Sequence, residues 1–200
     1  MFFRFASPRR PFQFLDAGPL ADGDLQLVPP HEQFIPDVVA SRQHPLTRQS
    51  DPALAAAGDS WLRQFVQNMP SGHENGALGP AYHFWMNSAV GPLAMAGDIS
   101  LRISETREII RYYGHIGYYV FPACRGRHYA ERAARLLFPL AIRHGLRTLW
   151  ITTNPDNIPS RRTCQRLGAT LVNVVKIPPG HALSYAGDIE KCRYRINLTV

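Results

Sequence analysis

Hydrophobic and polar positions alternate over residues 93–103, with Leu93, Met95, Gly97, Ile99, Leu101 and Ile103 on one side and Asp98, Ser100 and Arg102 on the other. A period of two with one apolar side predicts a half-buried strand. Residues 113–121 repeat the pattern, with Ile116, Tyr118 and Val120 facing away from His115, Gly117 and Tyr119. So do residues 192–200, where Tyr194, Ile196 and Leu198 alternate with Arg193, Arg195 and Asn197. Residues 25–28 and 170–177 are further strands, the first stopped by Pro29 and Pro30. Residues 148–152 are short, apolar and flanked by helical stretches, as a buried parallel strand would be.

The period becomes helical over residues 128–144, whose apolar stripe is Ala130, Ala133, Ala134, Leu137, Leu140 and Ala141. Pro139 within it predicts a kink or a split, and Gly145 its end. Residues 31–41 and 51–68 also have helical spacing; in the second, Asp51 can cap the N-terminus ahead of Pro52. Asn157 can cap a shorter helix that Gly168 closes. Residues 72–80 are rich in turn formers and predict a loop, a common place for substrate-specific elements. Residues 1–24, with Pro8, Pro11 and Pro19, predict an irregular arm, and residues 25–200 a single domain. The strand–helix–strand unit over residues 114–153 should cross over right-handed. The fold class expected is α/β: a mixed sheet of about six to seven strands with helices on both faces.

Composition narrows the functional classes. No apolar run approaches the ~18 residues of a membrane span. The first residues lack the order of a signal peptide, so a cytoplasmic protein without a membrane partner is expected. Cys124, Cys164 and Cys192 form no CxxC pair, and the histidines show no HExxH spacing. Free thiols and no bound metal are therefore expected. The net charge of +7 has two readings. It can attract a polyanion or a phosphorylated cofactor, or it can be an arginine-rich solvated surface, since Lys176 and Lys191 are the only lysines. No nucleic-acid-binding motif accompanies the charge, so nucleic acid ranks last among partners.

Candidate chemistry gathers in the second half of the chain. Arg125, Gly126, Arg127, His128, Tyr129 and Ala130 form a basic, glycine-containing turn between a strand and a helix. The first N–H groups of that helix have no internal partners and lie at its positive end, which suits a phosphate or pyrophosphate. Asn157, Ser160 and Cys164 follow at i, i+3 and i+7, along one helix face. His115 can act as a general base, because imidazole titrates near neutrality, or it can be an ordinary strand residue. Glu105 and Glu108 are rival bases. The aromatics at residues 82–85, 112–113 and 118–119 can wall an acceptor pocket or fill the core.

This order and spacing resemble the GNAT superfamily of acyl-CoA-dependent N-acetyltransferases over roughly residues 80–177. The family's phosphate motif, Arg/Gln-x-x-Gly-x-Gly/Ala, finds Arg125 and Ala130 at its ends and His128 at its inner glycine. Asn157, Ser160 and Gly168 match the later half, while Cys164 stands where the family has a tyrosine that often protonates the departing thiolate. The resemblance implies acetyl-CoA (coenzyme A) as co-substrate, in a gap between the strands at residues 113–122 and 148–153. Arg125, Gly126, Arg127, His128, Tyr129 and Ala130 would hold its pyrophosphate. Backbone groups of Val120 and Phe121, with Asn157, Ser160 and Cys164, would line its pantetheine arm. His115 would be the base and Cys164 would occupy the acid's position; a small core filler is the other reading of Cys164. The acceptor would be a small-molecule or peptide amine attacking in a ternary complex, and a homodimer is compatible with this reading. The departures at residues 128 and 164 keep open a domain that binds acyl-CoA without turning it over.

Overall fold

The computed structural model describes residues 12–69 and 72–199. Its strands are β1 (Leu20–Asp22), β2 (Leu25–Val28), β3 (His73–Gly76), β4 (Gly79–Ser88), β5 (Met95–Arg102), β6 (Ile116–Val120), β7 (Thr148–Thr153), β8 (Thr170–Lys176) and β9 (Glu190–Asn197). A six-stranded sheet has the order β1-β2-β4-β5-β6, with β3 also paired to β4, and a three-stranded sheet has the order β7-β9-β8. All their ladders are antiparallel. The apolar run at β7 is thus a strand antiparallel to β9, and not one hydrogen-bonded in parallel to β6. Leu149, Ile151 and Thr153 are its buried side.

Helices cover both faces of the larger sheet. On one side lie α1 (Ile35–Gln43), α2 (Pro45–Ser50), α3 (Pro52–Ala56) and α4 (Asp59–Asn68), and Val38, Leu62 and Val66 pack there against Trp85 and Met95. On the other lies α5 (Tyr129–Arg143), whose Ala133, Ala134, Leu137 and Leu140 meet Phe84, Ile99, Leu101 and Ile116. α6 (Ile158–Arg166) and the short α7 (Ala182–Tyr185) complete the set. Among the described residues no helix is long and apolar enough to cross a membrane.

Five local expectations change. The helix expected over residues 51–68 is two, because Ala57 turns extended (ψ 119°) after α3 and Gly58 precedes α4. α2 arises where none was expected: Pro45 opens it, and the His44 ring accepts the N–H of Leu46. The loop at residues 72–80 contains β3 in a tight hairpin with β4, turned by Gly79 at φ 86°. The expected arm ends early, since Leu20–Asp22 pairs with β2; residues 1–11 of that arm lie outside the described residues. Pro139 leaves α5 one continuous helix, not two.

β6 and β7 belong to different sheets and touch at one end only. The His115 backbone N–H donates to the Trp150 carbonyl at 2.7 Å, and the Trp150 N–H donates to His115 Nδ1 at 3.0 Å. Gly114 (φ 74°) allows this approach, because a Cβ there would lie 2.9 Å from the Trp150 carbonyl oxygen. Beyond that junction the sheets part, and the gap between them is open.

Candidate functional site

The gap is a cleft of about 580 Å³, lined by Tyr118 and Val120 of β6, Arg125 and Tyr129 around the start of α5, and Asn157 and Arg162 by α6. Phe121 N–H donates to Ala96 and Arg102 N–H to the His115 carbonyl, so the odd residues of β6 bond to β5. By alternation, Tyr118 and Val120 turn their backbone groups to the free edge. Arg125 Nε reaches the Val120 carbonyl at 3.2 Å. Phe121, by contrast, has neither backbone group to offer: its N–H is taken by Ala96 and its carbonyl accepts from Cys124 at 2.8 Å.

The turn into α5 is built from two left-handed residues, Gly126 at φ 84° and His128 at φ 58°. His128 is the one non-glycine with positive φ among the described residues. The motif therefore needs this conformation at its inner position, and a histidine adopts it at some strain. The His128 ring is half exposed, with Nδ1 3.6 Å from Glu131. Arg125, Gly126, His128, Tyr129 and Ala130 all line the cleft, while Arg127 does not. Arg166 lines it too and pairs with Glu131 at 2.9 Å, tying α6 to α5. Arg162 and Arg166, four residues apart on α6, give the cleft a cationic wall that the motif reading missed.

Across the cleft, Asn157 Oδ1 accepts the Ser160 N–H at 3.1 Å and so caps α6. Ser160 Oγ meets the Tyr118 hydroxyl at 2.8 Å. Cys164 does not reach the cleft. It is fully buried, and that burial pushes its thiol up to about 12. At this part of the wall Tyr118 brings a hydroxyl from the facing strand beside those of Ser160 and Thr163, and burial chiefly raises it to about 12. A tyrosine from the facing strand thus stands by α6, where the sequence reading considered a cysteine.

On the far side of β6 is a second cavity of about 410 Å³, bounded by β4, β5 and the helices α1 and α4. The polar side of β5 faces it. Register places Trp85 and Tyr119 beside Asp98, and His83 and Gly117 beside Ser100. Asp98 is exposed where it opens on the cavity, and the protein around it raises its carboxyl to about 6 by desolvation, against the pull of Arg42. Arg42 is brought in by α1, which the neighbouring Ser41 anchors to the Met95 carbonyl at 2.7 Å. Tyr119 lines both cavities. Its hydroxyl is buried without a hydrogen bond, with Arg125 nearby.

His115 lines neither cavity. It is wholly buried, its Nδ1 lone pair is occupied by Trp150, and burial with the charge of Arg102 lowers it to about 4. A ring with its lone pair engaged and no path to a substrate pins the sheets together; it is not placed to take a proton. Glu105 and Glu108 line neither cavity either, and Glu108 is bound to His181 at 2.8 Å. Of the aromatics, His83, Phe84, Trp85 and Tyr119 do wall the second cavity, with Tyr82 instead holding Leu15 and His144.

Comparison with known proteins accords with this layout. Residues 24–170 match the acetyltransferase (GNAT) domain family. No curated protein sequence matches the chain. Among solved structures, the microcin C7 self-immunity acetyltransferase MccE, in complex with acetyl-CoA and AMP, superimposes with a TM-score of 0.63 at 18% identity, over 88% of this chain and 93% of that one. The ribosomal L7/L12 alpha-N-protein acetyltransferase RimL, in complex with coenzyme A, gives 0.62 at 19% identity, over 90% and 98%. A putative ribosomal-protein-serine acetyltransferase from Vibrio cholerae gives 0.62 at 18%, over 90% and 97%. At these identities the likeness establishes the fold.

Proposed function

The chain belongs to the GNAT acetyltransferase family, and from that premise we propose that it moves the acetyl group of acetyl-CoA to an amine held in the second cavity. The observation that carries this reading is that the two cavities flank β6 and share Tyr119. A donor in one and an acceptor in the other would meet across a single strand.

The cleft suits coenzyme A by its chemistry. The unpaired N–H groups at the start of α5, with Arg125, Arg162 and Arg166, offer donors and positive charge to a pyrophosphate. The outward backbone groups of Tyr118 and Val120 offer strand-like bonds to the pantetheine amides, once Arg125 yields the Val120 carbonyl. In the transfer, the acceptor nitrogen forms a bond to the acetyl carbon as the carbon–sulfur bond breaks. Asp98 takes the proton the amine gives up, and a carboxyl near 6 is well matched to that task at neutral pH. The thiolate leaves with coenzyme A and is protonated from the cleft, where the Tyr118 hydroxyl faces α6 beside Ser160 Oγ.

The test pairs binding with turnover. Coenzyme A at roughly 100 times its Kd should stabilise the fold by about 2.7 kcal/mol. Acetyl-CoA with a panel of small amines and short peptides should release free thiol in an amine-dependent manner. Binding without release from any amine would leave a domain that holds acyl-CoA and does not turn it over.

A further inference from the structure

The second cavity contains a cation with an unmet need. Arg42 is 7% exposed, yet its Nε and Nη1 are buried without hydrogen-bond partners. Its guanidinium lies over the Trp61 ring at 5.0 Å from the centroid, and Trp61 stacks on Phe65 at 5.2 Å. The carboxylates that act on it are those of Asp98 and Asp59, and neither is within ion-pair distance among the described contacts. A buried cation that is neither paired nor hydrogen-bonded is costly, and folds retain one where an anion completes it. Arg42 and Asp98 thus put opposite charges on the wall of one aromatic-sided cavity of about 410 Å³.

We propose that Arg42 is the anion-binding residue of the acceptor site and that the acceptor is a compact amine bearing a carboxylate, such as a free α-amino acid. This rests on the acetyl-transfer reading above. The amine lies towards Asp98 and the carboxylate towards Arg42, so the site takes both ends of a zwitterion at once. A guanidinium suits a carboxylate because its donors match the two oxygens side by side. A peptide amine is followed by an uncharged amide, which leaves Arg42 unsatisfied. A polyamine would bring a second cation against it. The aromatic walls accept an apolar or aromatic side chain.

The test sets free amino acids against their own amides, pairs that differ little except in the carboxylate. With acetyl-CoA in excess, the acids should exceed the amides by about tenfold or more in kcat/KM, the scale of one charge-assisted interaction. Arg42→Gln should bring that ratio to about one. The same variant should unfold at a higher temperature than the parent, because it removes an unpaired buried charge; a merely structural arginine would show the opposite. Calorimetric titration of the coenzyme A-saturated protein with phenylalanine and phenylalanine amide requires no turnover. Binding of the acid alone would uphold the anion site even if no acetyl group moved, and that result would sink the transfer reading instead. Amides or short peptides acetylated as well as the acids, or a ratio unchanged in Arg42→Gln, would overturn the proposal.

Discussion

The Nδ1 of His115 accepts the backbone N–H of Trp150 at 3.0 Å, while the His115 N–H donates to the Trp150 carbonyl at 2.7 Å. One residue therefore closes the end of the cleft with two bonds, and its ring must stay neutral to do so. In the unfolded chain the imidazole returns to about 6.5. With the folded value depressed to about 4, stability from this group is present above 6.5 and lost as the pH falls towards 4. The loss should reach about 3 kcal/mol. Urea titrations between pH 7 and 4 should show it in the parent, and a smaller slope in His115→Asn, whose side-chain oxygen can still accept from Trp150. The activity of His115→Asn at pH 8 should remain within about tenfold of the parent, below the range of a lost general base.

His128 makes a separate prediction, about the phosphate turn. Its left-handed backbone is one that glycine adopts freely. His128→Gly should therefore stabilise the fold, by up to about 1 kcal/mol once the added freedom of the unfolded chain is counted against it. It should bind coenzyme A as tightly as the parent or more so. Weaker binding in calorimetry would mean that the ring itself holds a phosphate.

Cys164 and Tyr118 divide what the sequence assigned to one position. Cys164→Ala removes a buried thiol from the core, and turnover should fall by less than about tenfold. Tyr118→Phe takes the hydroxyl from the cleft wall and frees Ser160 Oγ. It should lower turnover by about tenfold or more, with coenzyme A affinity measured alongside to separate binding from chemistry. A larger loss in Cys164→Ala than in Tyr118→Phe would reverse the assignment.

β2, β5, β6, β7, β8, β9 and α5 were legible because each carries its own period or apolar run, and the turn at residues 125–130 because its residues are contiguous; β1 and β3 were hidden in the expected arm and loop. The second cavity was not legible. Asp98, Ser100 and Arg102 read as the polar side of a half-buried strand, and nothing local says that α1 to α4, at residues 35–68, cover that side. Arg42 lies just past the helix expected over residues 31–41 and carried no signal of its own; only packing against Trp61 makes it distinctive. His115 and Trp150 are separated by the whole of α5, so the bond that removes His115 from the chemistry is invisible in sequence. Cys164 was placed on the correct helix; its depth depended on which face of α6 meets the core. Arg162 and Arg166 carried a usable signal, two cations one turn apart on the helix that Asn157 caps.

Asp98 should also leave a mark on stability. Its folded value of about 6 lies above the unfolded one, so its contribution to stability is present below about 3.8 and lost as the pH rises through 6. Asp98→Asn should accordingly melt at a higher temperature than the parent at pH 8, and the difference should shrink at pH 4. Thermal scans at the two pH values check the sign. Greater stability with lower activity is the pattern expected of a group kept for chemistry.

The most direct measurement is the pH dependence of kcat/KM for the parent and Asp98→Asn, using the amine that the panel shows to be acetylated best. Coenzyme A affinity should be followed in both proteins. The parent should show a rising limb with an apparent pKa near 6. Asp98→Asn should lose that limb and about 10²–10⁴ in rate while binding coenzyme A as before. If the variant keeps both the limb and the rate, the proton leaves by another route, and the pairing of the two cavities across β6 is not the site of acetyl transfer.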